Sequence, residues 1–234
     1  MMQQYMVETS SINNNKVSLS KDDLHHLFKV MRAKNYDNII ICDYQSKVQY
    51  LASVLDNEII IQDKLDINNE LNYQLILVMS LVKSDKLELI MQKASEIGVS
   101  KMIVVQTRYS NIKLDQSKID KKLNRWHKII KEACEQAHRN TLMDLVIKDS
   151  LNDIIDLDFF KVVAYENNNN NINITDLEYM QDTMIVIGPE GGFSKEEINL
   201  LEDNNFNNVN LKKSILRCET AAIVSCGIIA NLMK

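Results

Sequence analysis

The chain has 234 residues, of which 45% are hydrophobic and 25% are charged, and this composition is typical of a folded globular protein. It contains no apolar run long enough to span a bilayer, and its first residues lack the basic-then-apolar pattern of a secretory signal. We therefore expect a cytoplasmic protein with no membrane partner. The net charge of −5 argues against a generally basic nucleic-acid binder.

The charge is unevenly distributed along the chain. Residues 81–140 carry 13 Lys and Arg against 7 Asp and Glu. Such a basic segment on an acidic protein is compatible with one local phosphate-binding face, and an ordinary solvated helix surface is the alternative. The cysteines Cys42, Cys134, Cys218 and Cys226 lack metal-ligand spacing, so reduced and buried thiols are expected. We expect no metal.

Residues 1–70 predict a small β-barrel-like module. Short β-rich runs at 38–42, 48–54 and 58–62 alternate with turn signals at 13–16 and 56–57, and a helical patch covers 25–32. His25 and His26 in that patch suggest a metal site, but no third ligand lies within sequence reach. Surface or capping histidines are therefore favoured. The polar segment 67–72 predicts a linker.

From residue 73 onward, apolar runs alternate with helical patterns, which predicts an α/β domain with a mainly parallel sheet. The predicted strands are 75–82, 102–106, 161–165, 184–187 and 209–211, and the predicted helices are 85–98, 118–139, 195–203 and 219–233. Residues 167–171 are five asparagines and predict a surface loop. Because such sheets bind ligands at the carboxyl ends of their strands, we expect the chemistry in three loops, 165–166, 188–193 and 214–220.

The stretch 187–194 holds three of the five glycines and the only proline of the chain. It follows an apolar strand and precedes a predicted capping box, in which Ser194 pairs with Glu197, and a hydrophobic staple between Phe193 and Ile198. A glycine loop at the start of a helix lets a ligand approach the backbone closely. An ordinary tight connection between strand and helix is the alternative.

Four segments in this order resemble one family. They are VKSDKLE through EIGV at 82–99, RW through EACEQAHR at 125–139, IGPEGGFS at 187–194 and ILRCETAA at 215–222. They are similar to the RsmE family of bacterial 16S ribosomal RNA uridine N3-methyltransferases, within the SPOUT superfamily. HLFKVMR at 26–32, followed by Asp37, resembles the PUA-like domain of that family. The resemblance implies domains at 1–70 (PUA-like, RNA-binding) and 73–234 (SPOUT methyltransferase).

The resemblance also implies a trefoil knot that folds the last two loops around S-adenosylmethionine, and a homodimer. The implied reaction methylates N3 of a specific uridine, family position 1498, in 16S ribosomal RNA of the small ribosomal subunit. The chain departs from the family pattern at Lys212, which replaces a glycine, at Ser214, which replaces an arginine, and at Leu142-Met143, where Val-Pro is usual. The first two changes put the local conformation of the second cofactor loop in question.

Three sets of candidate residues follow from the resemblance and from the loop positions. For the cofactor they are Tyr165, Glu166, Ile187, Gly188, Pro189, Glu190, Gly191, Gly192, Leu211, Ser214, Ile215, Leu216, Thr220 and Ala221. For RNA they are Arg32, Lys83, Lys86, Lys93, Arg125 and Arg139. For catalysis, Arg217 is expected to stabilise negative charge on the uracil carbonyls, and Glu190 or Glu219 to orient the base or accept a proton.

Other functions stay open at this point. A catalytically silent RNA-binding module would keep the PUA-like and SPOUT domains without activity. A methyltransferase of the same superfamily could act on a different RNA nucleotide. A dinucleotide-dependent oxidoreductase is disfavoured, because no Gly-x-Gly-x-x-Gly follows a first strand.

Overall fold

The computed structural model describes residues 2–112, 119–166, 172–211 and 214–233. The chain divides into two compact units, Met1–Glu70 with Cys134–Leu142, and Leu71–Ala133 with Met143–Lys234. The segment 134–142, which the sequence interpretation placed in the second domain, thus groups with the first unit. Lys118 at the predicted helix start, the asparagine run 167–171 and Lys212 lie outside the described residues.

The N-terminal unit is built on a six-stranded sheet. Its strands are β1 (Gln4–Val7), β2 (Ile12–Asn13), β3 (Lys16–Val17), β4 (Asn38–Asp43), β5 (Val48–Leu55) and β6 (Glu58–Leu65), in the order β1-β4-β5-β6-β3-β2. Only the β1–β4 pair is parallel. The helix α1 (Lys21–His25) continues into a π-helical turn, His26–Val30, as the predicted helical patch requires.

Both predicted turns of this unit are confirmed. Asn14 and Asn15 connect β2 to β3, and Asp56 and Asn57 connect β5 to β6, all with positive φ angles. Two-residue hairpin loops need this conformation, and Asn and Asp tolerate it better than other residues with a side chain. Alternate residues of the strands then face one core, which contains Tyr5, Val7, Ile39, Ile41, Ala52, Val54 and Leu27.

The segment 134–142 is tied to this sheet by buried polar groups. Glu135 accepts a hydrogen bond from the backbone N–H of Met6 at 2.8 Å, and Gln4 donates to the carbonyl of Arg139 at 2.8 Å. Arg139 is 2% exposed and its guanidinium pairs with Glu70 at 2.6 Å. Arg139 is thus buried and paired within this unit, and its contact with RNA stays a prediction.

The C-terminal unit contains a six-stranded sheet in which every neighbouring pair is parallel. Its strands are β7 (Leu75–Ser80), β8 (Lys101–Val105), β9 (Asp144–Lys148), β10 (Phe160–Ala164), β11 (Thr183–Ile187) and β12 (Asn207–Val209), in the order β12-β10-β11-β7-β8-β9. The helices are α2 (Ser84–Ile97), α3 (Ile119–Gln136), α4 (Lys195–Asp203) and α5 (Cys218–Leu232). The predicted α/β class with a parallel sheet is confirmed.

The central strands explain why this sheet forms. Every residue of β7 and of β11 is buried, as expected for parallel strands that are covered on both faces. Phe193 and Ile198, the predicted staple pair, belong to the same apolar cluster as Ile76 and Val186 of these strands. Because all strands are parallel, the loops after β10, β11 and β12 leave the same edge of the sheet.

Within the described part of the chain, no helix combines the length and the apolar character that crossing a membrane requires. The four cysteines are free and buried, as predicted.

Candidate active site

A cavity of about 370 Å³ lies at the carboxyl edge of the parallel sheet. The strand register places Ala164, the last residue of β10, opposite Ile187, the last residue of β11, and both line the cavity. The remaining walls come from Lys86, Glu166, Gly188, Pro189, Glu190, Gly192, Phe193, Ile215, Leu216, Arg217, Cys218 and Ala221. A pocket of about 70 Å³ shares Glu166, Leu216 and Ala221 with it and adds Tyr165, Leu211 and Ser214.

The glycine loop is shaped by close packing and by the start of α4. Gly192 has a φ of +71°, and its N–H donates to the carbonyl of Pro189 at 3.0 Å, which closes the turn. A Cβ at Gly188 would lie 3.1 Å from the Phe193 ring. The capping box between Ser194 and Glu197 is present, as predicted. Glycine is therefore needed here to bring bare backbone to the cavity.

Gly191 needs to be glycine for a different reason than the sequence suggested. A Cβ at this position would lie 2.9 Å from the Cβ of Tyr109, in the loop after β8, so the close neighbour is protein and not a ligand. Gly191 lines neither pocket, and Thr220 also lines neither. A larger side chain at 191 would therefore first disturb the packing of Tyr109.

Lys86 is the central charge of the cavity wall. Its Nζ lies 3.2 Å from Oε1 of Glu190 and 3.3 Å from Oε2 of Glu219. Burial lowers the pKa of Lys86, but the hydrogen bonds with Glu190 and Glu219 outweigh that effect and the net shift is upward, so Lys86 is a cation at neutral pH. The sequence assigned Lys86 to RNA binding, whereas here Lys86 and its partner Glu190 both line the cavity.

Glu219 is held as a carboxylate. Burial would raise its pKa, but hydrogen bonds from its own backbone N–H, from Cys218 and from Lys86 lower the pKa below its usual value. The Sγ of Cys218 donates to Oε2 of Glu219 at 3.2 Å. Burial, followed by this hydrogen bond, raises the pKa of the Cys218 thiol to about 12, so the thiol stays protonated and is not a nucleophile at neutral pH.

Arg217 is the second cation of the cavity and occupies the N-cap position of α5. Its side chain is exposed, and no acidic side chain of the described residues forms an ion pair with it. If Arg217 paired with Glu219 or Glu190, it would only brace the loop before α5. In the structure, both carboxylates form ion pairs with Lys86 instead.

The other basic candidates are distributed over both units. Lys83 is exposed at the N-cap of α2, and Arg32 is exposed with a φ of +55°. Lys93 pairs with Glu96 on its own helix at 2.8 Å. Both guanidinium contacts from Arg125 to Glu88 measure 2.8 Å. Exposed pairs of this kind can exchange their partner for a phosphate at little cost.

Most of the predicted cofactor residues are brought together. Those that line one pocket or the other are Tyr165, Glu166, Ile187, Gly188, Pro189, Glu190, Gly192, Leu211, Ser214, Ile215, Leu216 and Ala221. The sequence interpretation did not assign Ala164, Cys218 or Lys86 to this site. Ala164 and Cys218 directly adjoin predicted residues, so proximity in sequence could have included them, but no local signal links Lys86 to loops a hundred residues away.

Comparison with known proteins identifies the family. Residues 69–230 match the family model described as an RNA methyltransferase domain. The chain is 32% identical to the ribosomal RNA small subunit methyltransferase E of Bacillus subtilis, over 98% of this chain and 96% of the relative. It is 36% identical to the protein of the same name from Mesomycoplasma hyopneumoniae, over 86% and 87% of the two chains. The chain belongs to the ribosomal RNA small subunit methyltransferase E family.

A solved structure supports the same assignment. A putative methyltransferase from Legionella pneumophila, solved in complex with the bound cofactor SAM, superposes with a TM-score of 0.88 and 26% identity, over 98% of this chain and 97% of that one. The RsmE resemblance of the sequence is thus confirmed.

The cavity of this methyltransferase E family member suits a nucleoside-sized ligand. Its volume lies in the range of small-molecule pockets. Bare glycine backbone, apolar walls such as Ile187 and Leu216, and the carboxylates of Glu166 and Glu190 are present together. Among the described residues, no group of three or more His, Cys, Asp or Glu is placed to hold a metal ion.

Proposed function

We propose that the chain is an S-adenosylmethionine-dependent methyltransferase that methylates N3 of one uridine in 16S ribosomal RNA, the family position named above. The observation that carries the proposal is one cavity, in a chain of this family, that is lined both by the glycine loop after β11, which includes Glu190, and by Arg217. The Legionella relative, which binds SAM, supports the cofactor.

S-adenosylmethionine, when bound, supplies a methyl group on a sulfonium, so the protein contributes position and electrostatics. Backbone groups of Gly188, Gly192 and Leu216 hold the cofactor. N3 of uracil must lose its proton, and the resulting charge spreads over the neighbouring carbonyl oxygens. Arg217 stabilises that charge with its exposed guanidinium.

The two acidic candidates take different parts in this proposal. Glu219 has a lowered pKa and pairs with Lys86, so it is suited to fixing charges and poorly suited to accepting a proton. Glu190 lines the cavity directly and is the better placed of the two to orient the uracil or to take its proton.

We propose the finer architecture chiefly from the family resemblance. The N-terminal unit is proposed to be a PUA-like RNA-binding domain, and the loops before α4 and α5 to form a trefoil knot. A homodimer is proposed because α5 carries a single charged residue, Glu219, and leaves the apolar residues Val224 and Ile228 partly or fully exposed. Apolar helix faces of this kind are usually covered by another chain.

The target is tested by mapping N3-methyluridine in 16S ribosomal RNA from cells with and without the gene, and by adding purified protein to naked RNA and to assembled small subunits from the deletion strain. We expect the modification to disappear in the deletion and to return with the enzyme. An unchanged methylation map would contradict the target, and a new modification elsewhere would favour a different RNA nucleotide.

The cofactor site is tested by filling the cavity. Ala221 lines both pockets, so Ala221→Leu should weaken S-adenosylmethionine binding at least tenfold, about 1.4 kcal/mol, as measured by calorimetry. Ala230→Leu is the matched control, because Ala230 lies on the same helix with similar exposure and lines neither pocket. Equal affinity of the two variants would remove this cavity as the cofactor site.

A further inference from the structure

Two cations, Lys86 and Arg217, line the cavity, and they are unequally paired with acidic side chains. Lys86 of α2 contacts Glu190 of the glycine loop at 3.2 Å and Glu219 of α5 at 3.3 Å. Arg217 lines the same cavity, two residues before Glu219, and has no ion pair with any described residue. The lysine thus pairs with the glutamate of the glycine loop and with the glutamate two residues after the arginine.

This pairing has a consequence for Arg217. A guanidinium and a carboxylate form a strong, often bidentate hydrogen-bonded pair, whereas an ammonium is a compact charge that can contact several acceptors. If Lys86 were absent, Glu190 and Glu219 would carry two uncompensated charges beside the cavity. Arg217 would then be the nearest remaining cation of the cavity wall, and pairing with it would withdraw the guanidinium from any other ligand.

We propose that Lys86 is a positioning residue, which holds Glu190 and Glu219 and thereby keeps Arg217 free for the acceptor base. The inference rests on the proposed methyltransferase function, in which Arg217 stabilises the negative charge on uracil. Only 22% of the Lys86 side chain is exposed, so solvent screens the two contacts only in part.

The first test is Lys86→Met, with Lys86→Gln as a second variant should the first fail to fold. We expect turnover to fall at least tenfold, about 1.4 kcal/mol, while the S-adenosylmethionine affinity from calorimetry changes less than about threefold. Modification of Arg217 by phenylglyoxal, followed by peptide mass spectrometry, should slow by a similar factor, because a paired guanidinium reacts less. Lys101→Met is the matched control, since Lys101 pairs with Asp144 at the opposite edge of the sheet.

The second test removes the carboxylates. In the Glu190→Gln, Glu219→Gln background, Lys86→Met should slow the phenylglyoxal reaction of Arg217 by less than about threefold, because neither carboxylate remains to pair with Arg217. Lys86→Arg, which can contact both carboxylates, should retain most of the parental turnover and the parental phenylglyoxal rate. Equal slowing of that reaction in both backgrounds, or an unchanged Arg217 reactivity in Lys86→Met, would overturn the proposal.

Measurements of stability distinguish the positioning role of Lys86 from a purely bracing role. If Lys86→Met lowers the melting temperature and the cofactor affinity in proportion to turnover, Lys86 only braces the loops and the proposal is overturned. If the parent protein makes no N3-methyluridine at all, the proposed function fails, whereas the phenylglyoxal comparison still decides whether Lys86 keeps Arg217 unpaired.

Discussion

Arg217 is the residue on which the proposed chemistry depends most. Arg217→Lys keeps a positive charge but loses the planar fork, so we expect turnover to fall by about two to three orders of magnitude, as for the loss of a donor to a developing oxyanion. The S-adenosylmethionine affinity should stay nearly unchanged. The exposed guanidinium forms no ion pair with any residue that the structure describes, so its replacement should not reshape the cavity. Single-turnover kinetics with small subunits and calorimetry measure the two quantities.

The alternative for Arg217 gives a different pattern. If it braces the loop before α5, turnover, cofactor affinity and melting temperature should fall together. A Lys variant with turnover near that of the parent would remove Arg217 from the catalytic residues.

At this scale, the sequence predicts residues that lie within one motif and misses those that meet across elements. Glu190, Gly188 and Arg217 belong to short motifs that carry the family resemblance, so the resemblance and the loop positions together predict them as site residues. Lys86 meets its partners only because α2 and α5 begin, and the glycine loop lies, at the same edge of the sheet. A side-chain pairing of this kind depends on tertiary distances, which no periodicity encodes.

The helix α5 offers a test at the level of an element. Gly227 lies in the helix interior, and a Cβ there would meet no atom within 4 Å. Gly227→Ala should therefore stabilise the helix by about 1 kcal/mol and raise the melting temperature by about 2–4 °C. Gly98→Ala should have the opposite effect, because Gly98 has a φ of +107° and its Cβ would lie 3.1 Å from Leu71.

The outcome for Gly227 also bears on the proposed homodimer. A lower melting temperature in Gly227→Ala would mean that another chain packs closely on this part of α5, because the chain itself leaves the space open. Thermal unfolding at several protein concentrations separates the two cases, since a dimer contact makes the melting temperature depend on concentration.

Elements with strong patterns were predictable, and those at the sheet edges were not. The fully apolar runs of β7 and β11 and the capping signals around α4 identify three central elements. β9 was not predicted, because this edge strand is only partly buried and bounded by exposed charged residues. β12 starts two residues before the predicted run, at asparagines that have low strand propensity.

The division of the molecule into two units gives a prediction about acid stability. Within the N-terminal unit, burial would raise the pKa of Glu70, but Arg139 and the backbone N–H groups of Asn140 and Thr141 lower it below the ordinary 4.5. A carboxylate with a lowered pKa in the folded state contributes stability above its unfolded pKa and loses it as pH falls through the folded value. Unfolding by urea should therefore become easier below about pH 4.5.

Glu70→Gln should remove the contribution of Glu70 to this pH dependence and weaken the unit above about pH 4.5, where the parent side chain is charged. The buried Arg139 would lose its ion pair with Glu70, and removing one partner of a buried ion pair costs about 3 kcal/mol. Glu58→Gln is the control in the same unit, because the Lys16–Glu58 pair is exposed and should contribute little. A parental pH profile in Glu70→Gln would contradict this account.

RNA binding concerns the charge of the whole molecule, since a protein with a net charge of −5 must present its cations locally to bind a polyanion. Lys83 is exposed at the start of α2, the helix that also carries Lys86. It forms no ion pair with the residues that the structure describes. If it contacts one phosphate, Lys83→Gln should weaken binding to 16S ribosomal RNA uniformly across sequences and reduce the slope of log affinity against log salt by about 0.7–0.9. Lys101→Gln removes the same charge at the opposite sheet edge and should leave the slope unchanged. Filter binding between low and moderate salt measures both variants, and identical slopes would place the RNA on another face of the protein.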